Sequence, residues 1–174
     1  MGKHRKKILL LGLANSGKSS ISLSMQKITN LSSFTSLLPT TGIDISKFED
    51  DTSKYLLWDF GGQEQYQKKR KKNLKEYISQ TEEIFYVIDI QDDNLYYLSV
   101  VFLREILTML KNIANSFELS IYFHKFDVNF TTKEEKVKEL IILLEEEIPK
   151  DFTYKIYHTR IYTLFEKKLS SFVP

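Results

Sequence analysis

The chain contains no cysteine. That absence excludes disulfides, thiolate nucleophiles, cysteine-ligated zinc and cysteine lipidation together. It also lacks a surplus of either charge: 25 Lys and Arg against 23 Asp and Glu leave +2, so the chain as a whole is not a polyelectrolyte binder. No apolar run approaches the ~18 residues of a membrane span. The basic start, Lys3-His4-Arg5-Lys6, runs straight into an apolar stretch and therefore does not read as a cleavable signal peptide. Gly2 stands where a myristoyl acceptor would, but Lys6 occupies the position that wants Ser or Thr. What remains is 174 residues, 42% hydrophobic and 28% charged, the size and balance of one soluble domain over 1–174. A cytoplasmic protein is expected, with peripheral membrane contact left open.

The most informative stretch is Gly12-Leu13-Ala14-Asn15-Ser16-Gly17-Lys18-Ser19. It follows the apolar run Ile8–Leu11, which reads as a buried strand, and precedes Ser20–Met25, which can wind as a helix. Strand, G-x-x-x-x-G-K-S, helix is the context in which a P-loop works. Backbone N–H groups from Asn15 to Ser20 and the helix N-terminus would point inward at an anion. Gly12 and Gly17 permit backbone angles that side chains disfavour. Lys18 is placed to reach the β- and γ-phosphates, and the Ser19 hydroxyl to bind Mg²⁺.

Further along, residues 30–38 are rich in Ser and Thr without a helical period and read as a loop near the phosphates, ending at the turn signal Pro39-Thr40-Thr41-Gly42. Ile43–Phe48 alternates as a half-exposed strand, Asp50–Ser53 reads as a hairpin turn, and Tyr55–Trp58 as the returning strand. Asp59 at its end is the expected Walker B carboxylate, holding Mg²⁺ through water. Gly61-Gly62 lets a backbone N–H swing onto the γ-phosphate, and the Gln63 amide is placed to orient an attacking water. The run Lys68–Lys75 carries six positive charges in eight residues. It reads as a solvated face or as a surface for an acidic protein or anionic lipid headgroup. Nucleic acid is not expected, since no aromatic interleaving accompanies it.

Ile84–Ile90 predicts a central buried strand. Leu95 to Leu110 predicts a helix with Leu95, Leu98, Val101 or Phe102, Ile106 and Met109 or Leu110 inward. Leu119–Phe123 predicts a strand ending in His124-Lys125-Phe126-Asp127. Thr132 is a candidate cap for a helix over 134–147 whose inner stripe is Val137, Leu140, Ile141 and Leu144, stopped by Pro149. Phe152–Tyr157 predicts a strand, and Tyr162–Phe172 a closing helix. The alternation predicts an α/β P-loop NTPase fold: a six-stranded, mostly parallel sheet with one antiparallel edge strand and helices on both faces. The P-loop, Asp59, His124–Asp127 and Thr159 then follow strand C-termini, where open α/β sheets form their ligand crevice.

Guanine presents N1–H and N2–H₂ as adjacent donors, which one carboxylate can accept together. Asp127 is the candidate for that role, with the aliphatic stem of Lys125 lying along the base. With these residues in order, the chain resembles small GTPases of the Ras superfamily. Gly12–Ser19, Thr40, Trp58–Gln63, His124–Asp127 and His158-Thr159-Arg160-Ile161 stand as the five nucleotide motifs. Trp-Asp-x-Gly-Gly-Gln and Pro-Thr-x-Gly are similar to the Arf-like and Rag/Gtr branch. His124 in place of the usual Asn, and the spacing from Gly62 to Asp89, lean toward Rag/Gtr.

The resemblance implies guanine nucleotide and Mg²⁺ as ligands. Lys18 and Gln63 would be catalytic; Ser19, Thr40 and Asp59 would hold metal, with Thr41 the alternative to Thr40. Asn15, Ser16, Gly17, Lys18, Ser19, Ser20, Thr40, Gly62, His124, Lys125, Asp127, Thr159, Arg160 and Ile161 would contact nucleotide. It also implies GTPase-activating and exchange proteins, and roadblock-type proteins or a second small GTPase as partners. Rag/Gtr proteins continue into a roadblock-type domain beyond this one, whereas the sequence ends at Pro174; a single-domain relative and a separated domain are both compatible. The expected activity is a GTP-controlled switch with slow intrinsic hydrolysis, since no arginine is evident as an in-cis finger and Arg70 is merely the nearest one after Gln63. Its rivals are a nucleotide-loaded interaction module that scarcely hydrolyses and an ATP-using P-loop enzyme.

Overall fold

The computed structural model describes residues 3–28, 30–61, 80–111, 117–127 and 134–161. In chain order the elements are β1 (His4–Gly12), α1 (Lys18–Met25), α2 (Leu31–Thr35), β2 (Ile43–Glu49), β3 (Ser53–Phe60), β4 (Glu83–Asp89), α3 (Tyr96–Leu110), β5 (Glu118–His124), α4 (Glu134–Glu147) and β6 (Tyr154–His158). The strands form one sheet in the order β2-β3-β1-β4-β5-β6. Five run parallel, and β2 pairs antiparallel with β3 at one edge. The carboxyl ends of β1, β3, β4, β5 and β6 therefore share one rim of the sheet, which is where the chemistry-bearing residues collect.

β1 shows why the sheet is covered on both sides. Its period of two sends Leu9 and Leu11 to one face, where they join the cluster built with α3 and α4. Ile8 and Leu10 point the other way and pack with Ile21 of α1 and Leu57 of β3. A strand buried on both faces needs the unbroken apolar run found here, and each such residue contributes ~1.5–3 kcal/mol of transfer free energy. The hairpin between β2 and β3 is set by Asp50. Its Oδ1 accepts from the Thr52 and Ser53 backbone N–H groups at 2.8 Å each, and its Oδ2 accepts from the Tyr55 hydroxyl at 2.8 Å. Those donors hold the Asp50 carboxyl well below the usual carboxylate range.

Two expectations are corrected. Residues 31–35 form the short helix α2 where a loop was expected, because the Asn30 side chain caps it by accepting from the Ser32 N–H at 3.1 Å. In α3 the inner stripe is Tyr96, Ser99, Val100, Leu103, Leu107 and Leu110, joined by Phe102 and Ile106, whereas Leu98 is 53% exposed. The helix rotates this way because its interior takes polar atoms that find partners. The Tyr96 hydroxyl donates to the Ile90 carbonyl, and the Tyr86 hydroxyl of β4 to the Ser99 carbonyl, both at 2.6 Å. α4 keeps its expected stripe, with Leu140 and Leu144 fully buried and Val137 and Ile141 packed beside them. Thr132, the basic run Lys68–Lys75 and the helix expected over 162–172 lie outside the described residues.

Candidate functional site

The loop between β1 and α1 is wound around an ammonium group. Lys18 is buried, and its Nζ donates to the Leu13 carbonyl at 2.6 Å and to the Ser16 hydroxyl at 3.4 Å, so its charge sits across the mouth of the loop. Asn15 takes left-handed backbone at φ 59°, which Asn tolerates better than most residues. Gly17 does the same at φ 92°, and here a second constraint applies. A Cβ on Gly17 would lie 2.2 Å from Cδ2 of His124, so the imidazole at the end of β5 packs directly on the loop backbone.

Beside the loop, three oxygen-bearing side chains from separate segments converge. The Ser19 hydroxyl donates to Asp59 Oδ2 at 2.7 Å and lies 3.0 Å from Thr40 Oγ1. Asp59 is nearly inaccessible, and among the described residues its Oδ1 is buried with no hydrogen-bond partner. Burial pushes the Asp59 carboxyl above its ordinary value, against the Ser19 hydroxyl and the Lys18 charge, which both favour the anion. A buried carboxylate oxygen without a donor, next to two hydroxyls, is a site that a hard divalent cation satisfies. The Thr40 backbone is fixed here as well: a Cβ on Gly61 would lie 2.0 Å from the Thr40 carbonyl oxygen, so the two main chains touch. Thr41 is exposed.

The loop after β5 is joined to β6. His124 Nδ1 lies 2.9 Å from Thr159 Oγ1, the Thr159 N–H donates to the Phe123 carbonyl at 2.9 Å, and the Phe126 N–H donates to the Thr159 carbonyl at 3.0 Å. His124 is 2% exposed. Burial, with the nearby Lys125 charge, lowers it to about 4, so the ring is neutral at physiological pH. Lys125 takes left-handed backbone at φ 66°, and its Nζ pairs with Asp89 Oδ2 at 2.5 Å. Asp127 is exposed, and its Oδ2 accepts from the Gln91 amide at 2.9 Å.

Asn15, Gly17, Lys18, Ser19, Ser20, Thr40 and Lys125 all line one cavity of about 390 Å³. Phe34 and Leu38 line it too, and Leu38 is 82% exposed. A larger cavity, about 660 Å³, lies at the opposite end of the sheet among Arg5, Lys7, Lys47 and Lys54, far from these motifs. Of the remaining candidates, Ser16 is buried against Lys18, Thr159 meets His124, Arg160 is exposed and Ile161 half-buried just after β6. Gly62 and Gln63 lie outside the described residues. Sequence reasoning passed over Asp89 and Gln91. The rule that singled out Asp59 and His124, a polar residue at the carboxyl end of a parallel strand, applies equally to them.

Residues 7–167 match the family described as the Gtr1/RagA G protein conserved region. ADP-ribosylation factor-like protein alp41 of Schizosaccharomyces pombe is 28% identical over 160 residues, covering 91% of this chain and 75% of that protein. ADP-ribosylation factor-like protein 6 of Danio rerio is 30% identical over 146 residues, covering 81% and 73%. The match to ADP-ribosylation factor-like protein 3 of Chlamydomonas reinhardtii reaches 36% identity but spans 49% of this chain and 44% of that one. Among solved structures, the Arl6 (BBS3) small GTPase of Trypanosoma brucei with bound nucleotide analogue GppNp shares the fold. It superposes with a TM-score of 0.64 over 90% of this chain and 87% of its own, at 17% identity.

Proposed function

The chain belongs to the Gtr1/RagA G-protein family, among the small GTPases of the Ras superfamily, and on that premise we propose that it is a molecular switch. It holds GTP, hydrolyses it slowly and presents different surfaces to partners before and after. The observation that carries this reading is the convergence of Ser19, Thr40 and Asp59. Thr40 belongs to the segment between α1 and β2, not to the phosphate loop, yet its hydroxyl lies 3.0 Å from that of Ser19. A ligand that draws on the Ser19 hydroxyl therefore bears on Thr40 as well.

In this reading the loop N–H groups of residues 15–20 cradle the phosphates, and the Lys18 ammonium leaves the Leu13 carbonyl for the β- and γ-oxygens. Ser19, Thr40 and, through water, Asp59 would hold Mg²⁺, which would supply positive charge against that developing on the transferred phosphoryl group. Gly62 donates its N–H to the γ-phosphate, and the Gln63 amide orients the attacking water. Asp127 accepts the guanine N1–H and N2–H₂. Lys125 covers the base face, and Thr159, Arg160 and Ile161 close the pocket from β6. His124 joins the base loop to the phosphate loop by packing on Gly17. Loss of the γ-phosphate releases Thr40 and Gly62 together, which frees both segments. Slow turnover is expected because the sequence offers no evident in-cis arginine finger, Arg70 being merely the nearest arginine after Gln63; an activating partner would supply ~10³–10⁵ in rate. Exchange factors, and roadblock-type proteins or a second small GTPase, are the partners this reading implies. Among the described residues no helix is long and apolar enough to cross a membrane.

Trp58 is the chain's sole tryptophan and neighbours Asp59 on β3. Exchange of GDP for a non-hydrolysable GTP analogue should change its fluorescence, and single-turnover GTP cleavage should slow in Gln63→Leu. An unchanged spectrum speaks against a switch. Equal cleavage rates remove Gln63 from catalysis and favour a nucleotide-loaded module.

A further inference from the structure

The loop that carries Asp127 is held from outside by the carboxyl end of β4. The Gln91 side-chain amide donates one N–H to Asp127 Oδ2 and the other to the Lys125 carbonyl, each at 2.9 Å. The Gln91 backbone N–H in turn donates to Asp89 Oδ1 at 2.9 Å, while Asp89 Oδ2 takes the Lys125 ammonium at 2.5 Å. The Ile90 N–H closes the link by donating to the His124 carbonyl at 3.0 Å. Three successive residues, 89 to 91, thus contact three of the four residues of the base loop.

Packing does not account for this arrangement. Gln91 is exposed, and an exposed glutamine ordinarily leaves its amide to water, because fixing a long side chain costs rotamer entropy. Here both amide hydrogens point at one loop. Lys125 adopts φ 66°, a backbone angle unusual for a non-glycine residue, and its carbonyl accepts from both Gln91 and the Asp127 N–H. We infer that Gln91 is the positioning residue for guanine recognition: it fixes the rotation of the Asp127 carboxylate so that both oxygens face the same base edge. An ionised carboxylate has about four lone-pair sites, so Oδ2 can keep the Gln91 bond while accepting from the base. Asp89 plays the matching part for Lys125. The inference rests on the reading of Asp127 as the guanine-selecting group.

The ligand chemistry permits a sharp test. Inosine diphosphate keeps N1–H and lacks the N2 amine, so the ratio of GDP to IDP affinity reports whether both carboxylate oxygens are aligned. We would measure both affinities by displacement of fluorescent GDP, with Mg²⁺ present, for wild type, Gln91→Ala and Gln91→Glu. Matched far-UV circular dichroism and melting curves establish that the variants are folded, as the exposed position leads one to expect. Loss of a hydrogen bond to a charged group predicts about tenfold weaker GDP binding in Gln91→Ala, together with a several-fold fall in the GDP-to-IDP ratio. Gln91→Glu places a like charge against Asp127 and should weaken GDP further, with partial recovery as the pH is lowered toward 5. Unchanged affinity and ratio in Gln91→Ala overturn the inference. So does an equal loss for both nucleotides, which means general damage to the loop. A wild type that binds ATP as well as GDP overturns the guanine reading itself, and this inference falls with it; that outcome is visible before any variant is made.

Discussion

A neutral, buried histidine packed between Gly17 and Thr159 makes stability depend on acid. An ordinary histidine titrates near 6.5, and burial pushes His124 down to about 4, helped by the Lys125 charge and opposed by Asp89 and Asp127. The unfolded chain therefore takes up a proton between these values that the folded protein refuses. The sign follows: the contribution is fully present above pH 6.5 and is lost as pH falls through the window toward 4. Each unit is worth ~1.36 kcal/mol, so about 3 kcal/mol of stability disappears by pH 4. That is a large share of the ~5–15 kcal/mol typical of a domain. The assay is urea unfolding followed by Trp58 fluorescence from pH 7.5 to 4, without added nucleotide. His124→Asn is the control, since it keeps a polar group at the position and cannot titrate there. Carboxylates contribute to both curves, so the difference in slope isolates the imidazole. Parallel curves for wild type and variant across that range would mean that His124 does not set the acid sensitivity of the fold.

Other substitutions probe other links. Asp59→Asn removes a carboxylate whose raised pKa makes its ionised form costly at neutral pH, so the variant should be more stable in chelator and should lose stabilisation by Mg²⁺; thermal melting with and without the ion checks both. Gly17→Ala drives a methyl to within 2.2 Å of His124 at a backbone φ of 92°, and should lower unfolding free energy by at least ~2 kcal/mol along with retention of bound nucleotide on gel filtration. Tyr86→Phe removes the buried hydroxyl that donates to the Ser99 carbonyl at 2.6 Å; urea denaturation should show a loss of ~1–2 kcal/mol with no change in nucleotide selectivity.

Much of this molecule is readable from its residues because the central stretches Ile8–Leu11 of β1 and Ile84–Ile88 of β4 are apolar and buried, and because its phosphate loop has fixed glycines. The run Ile8–Leu11 could only be a central strand, and the spacing from Gly12 to Ser19 permits few other structures. The failures share a cause. In α3, Leu98 fits a helical stripe as well as Tyr96, Ser99 and Leu103 do, and periodicity alone favours the more apolar residue, while Phe102 and Ile106 are buried as expected. The structure chose the set whose hydroxyls reach the Ile90 carbonyl and, from Tyr86, the Ser99 carbonyl. For α2 the signal was a capping side chain, Asn30, and not a period. Asp89 and Gln91 were invisible because their roles arise from β4 lying beside β5 in the sheet, a juxtaposition that strand order creates and local sequence does not announce.

In the proposed function, the nucleotide held in the cavity among Lys18, Ser19, Thr40 and Lys125 is selected for guanine by Asp127 on the neighbouring loop. The most direct test is displacement of fluorescent GDP from the wild-type protein, in Mg²⁺, by GDP, GTP and ATP in turn. A site hydrogen-bonded to the guanine edge leaves its carboxylate unmatched against adenine, so ATP should compete on the order of 10³-fold or more weakly than GTP. ATP that displaces the label as well as GTP does would contradict guanine selection by Asp127.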